Sequence, residues 1–155
     1  KNAGFCQIER QAFLMSDMYN LRIIAADRVF YEGPCLSLIV PAFDGEKEVL
    51  AHHESMVIAV TDGEMRYKTE DGTWHIGYVG RGFVQIANNR VILLTESAEK
   101  PEEIDVRRAE EAKERALEQL RQKQSIQEYY HSSASLARAM ARLKTSRQTA
   151  GKIRI

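Results

Sequence analysis

Two hydrophobic rhythms meet near Pro101. Before it, apolar and polar residues alternate in short runs broken by Gly, Pro, Asn and Asp, the period of half-buried strands. After it, no Gly or Pro occurs between Glu102 and Ala150, and Ala, Glu, Arg, Gln and Leu dominate. Those side chains lose little freedom in a helix, so the second part is predicted helical almost throughout.

The first rhythm predicts strands over 21–25, 29–32, 35–40, 46–50, 55–60, 64–69, 74–79, 83–86 and 91–95. Gly33-Pro34 separates the second from the third, and residues 41–45 form a turn. Residues 51–54 have loop character, Asp71-Gly72 suits a hairpin turn, and Asn88-Asn89 turns again. About nine short strands with turn signals every eight to twelve residues describe an all-β sandwich or barrel. No helical stretch separates the strands, which argues against parallel β-α-β folds.

The second rhythm is too long for one element on a small body, and residues 124–127 are the predicted turn between two helices. Ala109, Ala112, Ala116 and Leu120 line one face of the first helix. In the second, Tyr129, Ser133, Leu136, Met140 and Leu143 step by four and three, close to a heptad seam. The predicted fold is therefore β + α: an N-terminal antiparallel β-sandwich or barrel, then a C-terminal antiparallel two-helix hairpin. Its expected divisions are an upstream extension over 1–17, a sandwich over 18–98, a linker over 99–103, the hairpin over 104–146 and a basic tail over 147–155. The seam is mostly Ala and Ser, so at about 25 cal/mol per Å² it gains little from burial. A weakly held hairpin is a candidate movable element.

Composition narrows the function. With 22 basic and 22 acidic residues the formal charge is zero, against the basic excess usual in a nucleic-acid binder. From Arg138 to the end, however, Arg138, Arg142, Lys144, Arg147, Lys152 and Arg154 occur with no acid. Cys6 and Cys35 form no metal or redox motif. No apolar run approaches the ~20 residues of a membrane span, so a membrane role must come through a partner.

Few residues suggest chemistry. His52-His53-Glu54 has no second ligand cluster and reads as a surface loop. Gly80-Arg81-Gly82 lacks a third Gly and a following helix, so it is no phosphate loop. Trp74 reads as core or rim packing, and no catalytic set appears at an informative spacing. The hairpin differs. Asp105 can cap the first helix, with Arg108 on the same face and Arg115 two turns on. Antiparallel folding would bring the i, i+4 pair Arg138 and Arg142 beside them. Four guanidinium groups around one carboxylate suit an anionic ligand, phosphate above all. A row of solvated arginines, with Glu102, Glu103, Glu110 and Glu111 as partners, is the other reading.

Several of these residues also carry a family pattern. They are Gly45-Glu46 leading to Val49-Leu50 and His53, the run from Gly82 to Ile86, Ile104-Asp105-x-x-Arg108-Ala109, and Arg138-Ala139-x-x-Arg142-Leu143. On these the chain resembles the epsilon subunits of F-type ATP synthases (delta in mitochondria), from about Tyr19 to Leu143. The resemblance implies a non-catalytic rotor subunit at the cytoplasmic face of the cell membrane, held there only through the complex. It implies gamma and the c-ring as partners, and alpha and beta in an inhibited state in which the extended hairpin blocks hydrolysis. No cofactor is required, and ATP is a possible regulatory ligand of the folded hairpin. By the same resemblance Glu99, Ile104, Asp105, Arg108, Arg115, Arg138 and Arg142 bind the nucleotide. Glu46 and His53 belong to the c-ring-facing loop, and Arg138, Arg142 and Lys144 meet acidic loops of beta. The chain departs from the family at Ala51-His52-His53, where Pro-Gly-His is usual, and at Glu48 and Arg81, where Gly is common. A free-standing anion-binding or adaptor module is the alternative, and an enzyme using His52-His53 a third reading.

Overall fold

The computed structural model describes residues 17–122 and 125–148. The expected extension, apart from Asp17, and the tail from residue 149 lie outside the described residues. The strands are β1 (Tyr19–Ala25), β2 (Val29–Ala42), β3 (Gly45–Leu50), β4 (Met56–Val60), β5 (Gly63–Thr69), β6 (Trp74–Val79), β7 (Gly82–Ala87), β8 (Arg90–Thr95) and β9 (Ala98–Glu99). A 3-10 turn (Pro101–Glu103) leads into α1 (Val106–Arg121) and α2 (Ile126–Gln148).

The strand order is β4-β7-β8-β1-β2-β5-β6-β9, with β3 also on β2. β2 joins the two layers. Its first part pairs with β1, its second with β3 and β5, and the register slips between Cys35 and Ser37. Alternate residues point into one core, including Leu21, Ile23, Leu38, Val40, Val49, Met65, Val84, Val91 and Leu93. That core ends at Ala98 and takes nothing from the helices, so the sandwich closes without them.

Three details correct the sequence reading. β2 runs straight through Gly33-Pro34, where two strands were expected. β9 is a short strand across the expected boundary between sandwich and linker, and the 3-10 turn occupies 101–103 of that linker. β1 and β8 pair in parallel with no helix between them, because the chain reaches β8 through antiparallel strands.

The hairpin needs two further corrections. α1 ends at Arg121, and Ser125 opens α2. Ser125 Oγ accepts the Glu128 N–H at 3.3 Å, while the Glu128 carboxylate accepts the Ser125 N–H at 2.9 Å, a capping box. Ile126 and Gln127 are therefore helical, and Gln124 lies outside the described residues. The seam of α2 is also rotated. Ser132, Ala139 and Leu143 are buried, whereas Tyr129 and Met140 are 54% and 53% exposed. The α1 face is as predicted, with Ala109 and Ala116 buried and Ala112 and Leu120 half-buried. α2 is the helix that packs on β5, β6 and the 3-10 turn, and α1 packs on α2.

Candidate functional site

The site begins at the hinge. Pro101 opens the 3-10 turn, and the Lys100 N–H donates to Glu103 Oε2 at 3.0 Å. Arg28, from the β1–β2 turn, pairs with Glu103 and donates to the Ala98 carbonyl at 3.2 Å. The Arg28 hydrogen bond, then the Lys100 N–H, hold the Glu103 carboxyl below its usual range. Ile104 is buried, and Asp105 accepts the Arg108 N–H at 3.0 Å to cap α1.

α2 returns antiparallel and brings its arginines to this hinge. Arg142 donates from Nε and Nη2 to Glu99 Oε1, at 2.9 and 2.7 Å. Its guanidinium also lies 4.4 Å from the centre of the Tyr78 ring. Burial works against the Arg142 charge, but the bonds to Glu99 and the field of Tyr78 outweigh it and raise its affinity for the proton. The Tyr78 hydroxyl donates to Asp62 at 3.1 Å, and Asp62 also accepts from Arg81 Nε at 3.2 Å. Burial pushes the Tyr78 hydroxyl far up, so it stays a donor.

Between the helices and the hinge lies a cavity of 520 Å³. Glu99, Asp105, Arg108, Arg115, Arg138 and Arg142 all line it; the antiparallel arrangement predicts the last five together, and Glu99 is expected from the resemblance alone. Ile104 does not; it is buried at the start of the hairpin. Ala109, Ala112 and Ala139 form the floor, where small side chains leave the room. Three carboxylates line the space, not the single one expected, because Glu99 and Glu103 join Asp105. Two of them are engaged: Glu99 with Arg142 and Glu103 with Arg28. Among the described residues, no carboxylate stands within ion-pair distance of Arg108, Arg115 or Arg138. Arg115 Nε donates to the Glu111 carbonyl at 3.3 Å, and Arg138 Nη2 to Ser135 Oγ at 3.0 Å. Among the described residues, the cavity wall thus holds three cations without ion-pair partners beside Asp105, whose carboxylate caps α1 and pairs with no cation.

Sequence reasoning placed Glu103 only among partners of solvated arginines and missed Ser135. Glu103 lines the cavity rim, and its carboxylate is held by Arg28, 75 residues away. Ser135 had a signal, since it stands one turn before Arg138.

The remaining candidates lie elsewhere. Glu46 is exposed near the start of β3 and bonds to Arg66 Nη2 at 2.5 Å. His53 follows the far end of β3, and its Nδ1 lies 3.0 Å from the Glu54 carbonyl. Four steps along β3 put Glu46 about 13 Å from Leu50, so Glu46 and His53 lie toward opposite ends of that strand. Lys144 is exposed on α2. His52 has a positive φ of 59°, and its N–H donates to Asn89 Oδ1 at 2.8 Å. Asn89 also donates to the Met18 carbonyl at 2.8 Å, so it pins the 51–54 loop, a role not read from the sequence. Trp74 is half-buried with Lys68 over its ring, which is rim packing. Among the described residues, no three His, Cys, Asp or Glu could hold a metal, and no helix is long and apolar enough to cross a membrane.

Residues 18–101 match the family model for the beta-sandwich domain of the ATP synthase delta/epsilon chain, and residues 102–147 match that for its long alpha-helix domain. The chain belongs to the ATP synthase delta/epsilon family. The ATP synthase epsilon chain of Ruminiclostridium cellulolyticum is 44% identical over 126 residues, 81% of this chain and 93% of that one. That of Symbiobacterium thermophilum is 39% identical over 133 residues, 85% and 94% of the two chains. A chain in the Euglena gracilis mitochondrial ATP synthase, in a structure of its OSCP, F1 and c-ring, shares the fold. Its TM-score is 0.71 at 21% identity, covering 86% of this chain and 81% of that one. As a delta/epsilon-family epsilon subunit, the chain is a non-catalytic part of the synthase. This bears out the resemblance read from the Asp105–Arg108 and Arg138–Arg142 motifs, and the β-then-α architecture with it.

Proposed function

We propose that this epsilon-family chain is a rotor subunit whose hairpin is a brake, held folded by ATP. The observation that carries the reading is the set of three arginines without carboxylate partners around the 520 Å³ cavity. A volume within the roughly 300–1,000 Å³ of small-molecule sites has room for a nucleotide. Arg108 comes from α1 and Arg138 from α2, so a polyphosphate between them bridges both helices by charge-assisted bonds. Arg115 adds a third cation, and Asp105 fixes the start of α1 by its cap. Glu99 holds Arg142 at the cavity edge, and Ile104 anchors the hinge.

The switch follows from charge and packing. Bound ATP neutralises cations that otherwise repel one another and closes a seam built of small residues. Without ATP, the hairpin swings about residues 100–105 and extends along gamma toward alpha and beta. There Arg138, Arg142 and Lys144 meet acidic loops of beta. ATP shifts this equilibrium only through its higher affinity for the folded form. The sandwich, with its independent core, stays docked on gamma and the c-ring, where Glu46 and His53 each offer a separate contact. The complex places the subunit at the cytoplasmic face of the membrane.

Titration calorimetry with ATP tests the site. Arg108→Ala and Arg138→Ala each remove one charge-assisted contact, worth about 1.5–3 kcal/mol, and should weaken binding by roughly 10- to 150-fold. Unchanged affinity in both variants sinks the ATP reading. For the brake, a cognate catalytic head lacking its own epsilon is given residues 18–155 or a form ending at Pro101. Both should bind, and only the longer should slow hydrolysis; equal hydrolysis with both refutes the brake.

A further inference from the structure

On β5 the sheet buries a carboxylate with one oxygen left unpaired. On β5, Met65 and Tyr67 point into the core, so Glu64 and Arg66 face the other way. Glu64 pairs in register with Tyr78 of β6, the residue that carries Arg142 on its ring. α2 is the element packed on this face of β5 and β6. The Glu64 side chain keeps 6% of its exposure. Its Oε2 is buried with no hydrogen-bond partner, and its closest cation is Arg66 Nε, 3.8 Å from Oε1. Arg66 Nε is a buried unsatisfied donor itself, since Arg66 gives its bond to Glu46 from Nη2.

A half-exposed β5 would carry Glu64 at little cost, because water would complete both oxygens. With α2 packed over β5 and β6, that water is withheld. We propose that Glu64 is a built-in release element: it loads the docked hairpin against the sheet and is relieved, by hydration, when α2 lifts away. Arg142 on Glu99 and Tyr78 pulls the other way, so docking is a balance between one latch and one load on adjacent strands. The inference rests on the reading above that the hairpin moves, and it adds the residue that sets how readily it does so.

Thiol labelling of the full chain tests this. Thr145 is fully buried, three residues beyond Arg142 on the same helix face, so Thr145→Cys gives a thiol reached when α2 undocks. Buried Cys35, in the core, reports opening of the sandwich in the same sample. Removing the load by Glu64→Gln or Glu64→Met should slow labelling at position 145 about tenfold, and Arg142→Ala should speed it by at least that much. Cys35 labelling should not change. If both Glu64 variants label as fast as the parent, or faster, while Arg142→Ala accelerates, the hairpin moves but Glu64 does not load it. If position 145 labels only in step with Cys35 in every variant, the hairpin does not move on its own, and the reading beneath the proposal fails with it.

Discussion

Arg142→Ala should undock the hairpin while leaving the sandwich folded. The side chain makes two hydrogen bonds to one oxygen of Glu99 and stacks on Tyr78. Arg142 and Glu99 keep 29% and 26% of their exposure, so the pair lies between a surface and a buried one. A charged hydrogen bond is worth about 1.5–3 kcal/mol. Sharing one acceptor and partial solvation bring the Glu99 contact to about 1.5 kcal/mol. The ring contact adds about 1 kcal/mol. The loss is then about 2–3 kcal/mol, or 30- to 150-fold in the docked fraction. A free 16-residue α1 is marginal alone, so undocking should read as lost helix. In a urea titration, ellipticity at the helix band should fall at a lower midpoint than Trp74 fluorescence, which reports the sheet. A double-mutant cycle with Glu99→Gln should give a coupling of about 1–2 kcal/mol. Arg142→Lys should recover little, because one ammonium cannot both stack and fork. Coincident midpoints in Arg142→Ala, or a coupling under about 0.3 kcal/mol, would refute the latch.

Two other outcomes follow from single features. Gly82→Ala should unfold the sandwich, since a Cβ there would stand 2.0 Å from the Leu94 carbonyl oxygen, and β7 cannot move off β8 without breaking their ladder. Near-ultraviolet dichroism checks it; a native spectrum would mean that the strands can part. Glu103 titrates below its ordinary range, so its contribution to the hinge is present above about pH 4.5 and is lost as pH falls through the lowered value. Protection of the residue 100–105 amides from hydrogen exchange should therefore fall on acidification, and Glu103→Gln should show the lower protection already at neutral pH.

Much of this molecule is legible locally. Asp71-Gly72 and Asn88-Asn89 turn where the residue types allow positive φ, as Gly72, Asn88 and Asn89 do. Asp105 caps α1, and the Ala109–Leu120 face packs inward, because cap and periodicity are properties of neighbours along one helix. The meeting of Arg108 with Arg138 and Arg142 needed only one further step, that two helices joined by a short turn run antiparallel.

What the chain could not show by itself comes from contacts far apart in sequence. α2 touches both α1 and the sheet, so its inward side is wide. A count of large apolar residues chose Tyr129 and Met140, whereas the close seam uses Ser132 and Ala139, which let the backbones approach. Gly33-Pro34 looked like a break, but β1 pairs across it and carries β2 through. Glu103 is held by Arg28 across 75 residues, and Glu99 reaches Arg142 across 43. Glu64 was one polar residue in an alternating strand. The tertiary structure buried its side chain, because burial is decided by what covers a side chain and not by its place in the pattern.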